Sequence, residues 1–146
     1  MGEVGNSECF HRLSFGISVA VMKPLEWVGA SLDDLRALPK EVRQEAGFSI
    51  HLAQTGGRAL NAVPMVGFGS AKVLEVLMPS RGNTYRAVYT VKFKLAVYVL
   101  HVFQKKSKTG KKTPATDIAL IKRNLKFAER HYTQNYEGAI AREAEK

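Results

Sequence analysis

Two β-patterned runs follow one another between Thr84 and Phe103, and the second ends in lysines. Tyr85, Ala87, Tyr89 and Val91 alternate with Arg86, Val88, Thr90 and Lys92, the period of two that a strand imposes. Phe93–Ala96 makes a short connection, and Val97 to Phe103 is a second β-branched and aromatic run, a composition suited to a pleated, buried surface. Gln104, Lys105, Lys106, Lys108, Lys111 and Lys112 follow. A sheet that carries an arginine beside such a cluster suits a polyanion held in one pose.

Charge placement strengthens that reading. The net charge is +9. From His101 to Lys126 there are eight Lys or Arg against the single Asp117, a local net charge of +7. An acidic partner is therefore expected, with nucleic acid first and an acidic protein inhibitor second. The 146 residues suffice for one domain with its own core. Cys9 stands alone, which excludes an internal disulfide framework and a cysteine-based zinc site and fits a reducing, cytoplasmic setting. No apolar run approaches the roughly 20 residues of a membrane-spanning helix.

Residues 1–21 are polar and then mildly apolar, and are expected to be a loosely ordered extension ahead of Met22. Glu3 and Glu8 argue against a secretory leader. The patterned domain is expected over 22–133, with a polar tail at 134–146 that frays beyond Tyr132. Leu25 to Val28 reads as a short strand. Ser31 is a natural N-cap with Asp34 three residues on, and Leu32, Leu35 and Leu38 share a face. Pro39 fits the first position of a second helix, whose inward stripe is Val42, Ala46, Ser49, Ile50 and Ala53 and which Gly56-Gly57 stops. A small-residue loop spans Asn61–Ser70, a strand Val73–Leu77, and a turn Pro79–Asn83. Thr113-Pro114 opens a last helix with Ile118, Ile121, Leu125, Ala128 and Tyr132 on one face. The expected order is β-α-α-β-β-β-α: an α+β domain with a small, curved, antiparallel or mixed sheet, an N-terminal helical hairpin and a C-terminal helix.

Four segments in this order, KPLEWVG at Lys23–Gly29, GFG-x-x-x-VLEV at Gly67–Val76, TYRAVYTV and VLHVFQKKSK, resemble the RelE/ParE superfamily of bacterial toxins, and within it the HigB-like, phage-related branch. The resemblance covers about Lys23 to Tyr132, roughly three quarters of the chain. It implies a toxin neutralised by an antitoxin, often of helix-turn-helix type. Relatives of the RelE and HigB kind cleave mRNA, commonly on the ribosome; those of the ParE kind inhibit DNA gyrase. By the same resemblance, Arg86 matches the arginine of the Y-R-x-x-Y strand that supports the scissile phosphate, and Lys105 and Lys106 match the basic pair that ends the next strand. The strand before Arg86 departs from the RelE pattern: its one ionisable residue is Glu75, where RelE toxins carry lysines, and no C-terminal tyrosine matches theirs.

Metal-free RNA cleavage needs the 2′-hydroxyl in line with the leaving oxygen, cations around the phosphorane, a base and an acid. No Asp/Glu/His cluster has metal-ligand spacing, so no cofactor is expected. Arg86 suits phosphate through its planar fork, or else pairs with Glu75 across the hairpin. Lys105, Lys106, Lys108, Lys111 and Lys112 suit phosphate as point charges. His101 is a base or acid candidate, or a half-buried structural histidine. Glu75 is a candidate base, or the ion-pair partner of Arg86. Tyr85 and Tyr89 are stacking candidates, or core residues packed on the helices, and Gln104 is a candidate RNA contact. Arg86→Ala is expected to abolish cleavage and spare the fold. A gyrase inhibitor without nuclease activity and an RNA-binding module that has lost catalysis remain as alternatives.

Overall fold

In the computed structural model, which describes residues 22–105 and 113–138, the hairpin of β3 (Val73–Ser80) and β4 (Asn83–Thr90) is closed by two residues, Arg81 and Gly82. Both have positive φ, 49° and 81°, as a two-residue turn must if it is to follow the right-handed twist of its strands. The strands run further toward the turn than side-chain pattern implied, because Ser80 and Asn83 still pair across it.

β4 pairs next with β5 (Val97–Lys105), and β5 with the short parallel strand β1 (Leu25–Trp27). On the far side, β3 takes up an edge strand, β2 (Ala62–Pro64). The order is β1-β5-β4-β3-β2, a mixed five-stranded sheet. β2 lay unforeseen within the small-residue loop: three residues are too few to show a period of two, and their pairing comes from β3.

Strand alternation divides the helices between the two faces. Tyr85, Ala87 and Tyr89 enter a core with Leu35 of α1 (Ser31–Arg36) and with Val42, Ala46, Ile50 and Ala53 of α2 (Lys40–Gln54). Val88, Tyr98 and Leu100 enter a second core with Ile121, Ala128 and Tyr132 of α3 (Ala115–Tyr132). The inward residues of α2 are the five its periodicity indicated. Ser31 differs from expectation. Its hydroxyl donates to the Val99 carbonyl at 3.3 Å and caps nothing, because α1 lies against β5 and that carbonyl is nearer than the helix amides.

Leu100 is the extra residue of a bulge in β5: Val99 pairs with Tyr89 and His101 with Val88. A bulge leaves backbone groups without ladder partners. The Leu100 carbonyl accepts from Asn124 Nδ2 at 2.8 Å, which explains a buried asparagine on the apolar stripe of α3. Nor does that helix end at Tyr132. A π turn, Thr133–Glu137, continues it, with Tyr136 stacked on Tyr132 and its hydroxyl donating to Glu26 of β1. Residues 1–21, expected as an extension, lie outside the described residues.

The turn gives two opposite expectations. A Cβ at Gly82 meets nothing within 4 Å, so Gly82→Ala costs only the conformational penalty, about 1–2 kcal/mol. Arg81→Asn, which suits the left-handed region better, raises stability by on the order of 0.5 kcal/mol. Urea midpoints of the two variants, at unchanged slope, check both signs.

Candidate functional site

Alternation sets Glu75, Arg86, His101, Phe103 and Lys105 on the sheet face that carries α3. Arg86 Nη1 meets Glu75 Oε1 at 2.8 Å, with both side chains under a tenth exposed. Thr113 closes the group. Its hydroxyl donates to Glu75 Oε2 at 2.8 Å and accepts from Arg86 Nη1 at 3.2 Å. A buried guanidinium and carboxylate are tolerable only when paired and hydrogen-bonded, and this ring gives partners to both Glu75 oxygens and to Arg86 Nη1, with groups from two strands and the residue before Pro114. Thr113 is accordingly engaged with the ion pair, and α3 has no side-chain cap.

Lys105 faces Thr84 at the end of β5 and is 9% exposed. Burial draws its amine below the usual lysine range, the Arg86 charge adds to this, and Glu75 partly opposes it. Toward the middle of the strand, His101 Nε2 lies 2.8 Å from Asp117 Oδ1 in the first turn of α3. The His101 ring stacks on Phe103 with centroids 4.6 Å apart and planes 15° from parallel. A carboxylate on one ring nitrogen and an aromatic against its face fix the imidazole, as a proton-transferring histidine requires. Beyond Val99, β1 no longer flanks β5, and there a cleft of about 750 Å³ opens between α1, β5 and the start of α3. Asp34, His101, Phe103, Gln104, Thr116 and Asp117 are among its lining residues. Among the described residues no three His, Cys, Asp or Glu side chains gather as a metal centre would need.

Residues 33–126 match the family described as "Phage derived protein Gp49-like (DUF891)", well over half of the sequence. The chain belongs to this Gp49-like family. Among curated proteins none matches it in sequence. Solved structures similar to it include two of one toxin. One is a double mutant of the toxin RelE from E. coli in the free state, with 20% identity over 58% of this chain and 85% of that one and a TM-score of 0.46. The other is the isolated E. coli RelE toxin, with 19% identity over 69% and 97% and a TM-score of 0.44.

The structure sets Glu75, Arg86, His101 and Lys105, of the residues singled out in this Gp49-like sequence, on one sheet face, and Gln104, exposed, on the neighbouring cleft. Tyr85 and Tyr89 go elsewhere. They are 8% and 0% exposed in the core under α1 and α2, on the opposite face, which removes them as base-stacking residues. Lys106, Lys108, Lys111 and Lys112 lie outside the described residues. Two residues escaped sequence reasoning, Thr113 and Asp117. Each carried a signal: Asp117 is the one acid in the basic quarter of the chain, and Thr113 precedes the helix-opening proline.

Burial of the ion pair also overturns one expectation. Arg86→Ala strips Glu75 of its guanidinium inside the protein, so that variant does not spare the fold. Glu75→Leu is expected to cost about 3–5 kcal/mol, the penalty for a buried charge that has lost its partner. Glu75→Leu with Arg86→Leu recovers most of that loss. Equilibrium unfolding of the single and double variants measures the difference.

Proposed function

We propose that this Gp49-like protein is the toxin of a type II toxin–antitoxin pair, an mRNA endonuclease that works on the ribosome through the RNA's own 2′-hydroxyl and is neutralised by a cognate antitoxin, of helix-turn-helix type by the motif resemblance. Membership of a phage-derived family and the resemblance of the tyrosine–arginine strand and the F-Q-K-K segment to RelE/ParE toxins support the class. One observation carries the chemistry: on a single sheet face, a lysine with a loosened proton stands beside a buried arginine, with a carboxylate-held histidine further along the same strand.

In the proposed reaction the 2′-oxygen attacks phosphorus and the bond to the 5′-oxygen breaks, leaving a 2′,3′-cyclic phosphate and a 5′-hydroxyl. His101, oriented by Asp117, takes the 2′-hydroxyl proton. Lys105 gives its proton to the departing oxygen and balances charge on the phosphorane. Three residues separate His101 from Lys105, about 13 Å between Cα positions in a strand, with Phe103 between them to support a nucleotide. Arg86 contributes as a fixed positive charge near Lys105 and lowers its proton affinity; its Nη1 is engaged by Glu75 and Thr113. Glu75, with both oxygens engaged, serves as the partner that holds Arg86 and leaves proton transfer to His101. The lysines that follow Lys105 supply the nonspecific attraction for the phosphate chain.

The sequestered Arg86 favours one other reading, an RNA-binding protein without cleavage, and a single set of assays separates the two. Lys105→Ala is expected to lower message cleavage on ribosomes by about 10²-fold or more with the folded circular-dichroism spectrum retained. Wild-type cleavage falls as pH rises through the lowered Lys105 value, because the required form is the protonated one, and that alkaline limb begins below the ordinary 10.5. In Lys105→Arg the limb disappears. Salt-sensitive RNA binding with no cleavage by the wild type would decide for the binding protein.

A further inference from the structure

A second cleft lies at the other end of the sheet. It has a volume of about 510 Å³, and Gly56, Gly57 and Arg58 after α2, Pro64 of β2, Gly69 and Lys72, and Val73, Leu74 and Val91 line it. None of the groups assigned to cleavage is among its lining residues. Its size is that of a small-molecule site. Its chemistry is one-sided: two cations, no carboxylate and an aliphatic wall.

Three observations give those features a common direction. Arg58 and Lys72 are both exposed, and neither is among the ion pairs formed by the described residues. Lys72 has φ of 48°, a left-handed conformation that costs a lysine on the order of 1 kcal/mol relative to glycine. It is held there from both sides: the Ala71 carbonyl accepts from Thr90 Oγ1 at 2.6 Å, and the Lys72 carbonyl accepts from the Val91 amide at 3.1 Å. Beneath the cleft, Tyr89 is wholly buried and its hydroxyl has no hydrogen-bond partner among the described residues. Burial pushes that phenol up, and the charge of Arg58 opposes the shift, which puts the hydroxyl within electrostatic reach of the cleft's own arginine.

We propose that this cleft binds the phosphate of a nucleotide between Arg58 and Lys72, with Pro64, Val73 and Val91 against its apolar body. An arginine fork and a lysine point charge are the complementary pair for a phosphate. The left-handed backbone at Lys72, where a glycine would fit better, sets an ammonium on the wall of the cleft. A free nucleotide and one within an RNA chain present the same phosphate to this pair. The proposal is independent of the nuclease reading.

The test uses the full chain with amide chemical shifts followed by NMR. The probes are adenosine 5′-monophosphate and a short 2′-O-methyl oligoribonucleotide that resists cleavage. Adenosine 5′-monophosphate is expected to move the amides of Gly56, Gly57, Gly69 and Lys72, with affinity falling at least tenfold in Arg58→Gln and in Lys72→Gly. Lys72→Gly should at the same time raise the unfolding midpoint, since it relieves the backbone, a combination that a purely structural lysine does not give. Tighter binding of the oligonucleotide at the same amides assigns the phosphate to an RNA chain; binding of the mononucleotide alone assigns it to a free nucleotide. Shifts confined to other residues, or affinities unchanged in both variants, overturn the proposal.

Discussion

A buried guanidinium has to be paired, and the pairing of Arg86 organises the α3 side of this molecule. Glu75 answers it from β3, and Thr113, at the entrance to α3, bonds to both. The ring ties the middle of the sheet to the start of the C-terminal helix. From there Asp117 reaches His101 within the first turn. Loss of the ring would release the helix start and with it the carboxylate that orients the histidine. In this protein the groups of the candidate site and the groups that hold the fold together are partly the same.

That sharing changes what Arg86 can do. An arginine 4% exposed, with its Nη1 held by Glu75 and Thr113, is proposed to act at a distance, through its field. The consequence is visible one strand over, where the Lys105 amine is drawn downward by burial and by the same positive charge. A lysine whose proton is loosened in this way is a better acid at moderate pH than one in water. In the proposed reaction the electrostatic work is thus divided between a fixed interior charge and a titratable group at the end of β5.

Much of the fold was legible because its signals are local. The stripe Val42, Ala46, Ser49, Ile50, Ala53 is a helix period, and the alternation of Tyr85 to Thr90 is a strand period; both survive folding unchanged. Misreadings arose where a neighbour decided the outcome. Ser31 and Thr113 sit at natural capping positions, yet their hydroxyls turn to the Val99 carbonyl and to Glu75 because those groups lie closer once the layers pack. β2 exists because β3 offers it an edge, and Asn124 is buried because a bulge frees a carbonyl above it. The motifs that resembled RelE/ParE toxins, the tyrosine–arginine strand and the F-Q-K-K segment, lie within residues 33–126, the stretch that matches the Gp49-like family.

What the sequence determined by itself is the element order, the alternation that gives each strand two chemically different faces, and the concentration of positive charge after β5. Each follows from residue spacing or composition, which no tertiary contact alters. Which face Tyr85 and Tyr89 occupy, whether Arg86 meets solvent or Glu75, and that His101 has Asp117 for a partner were decided only when helices closed on both sides of the sheet. A period of two says that neighbours point apart; it takes a packed layer to say which of them is buried, because burial depends on what covers the strand from elsewhere in the chain.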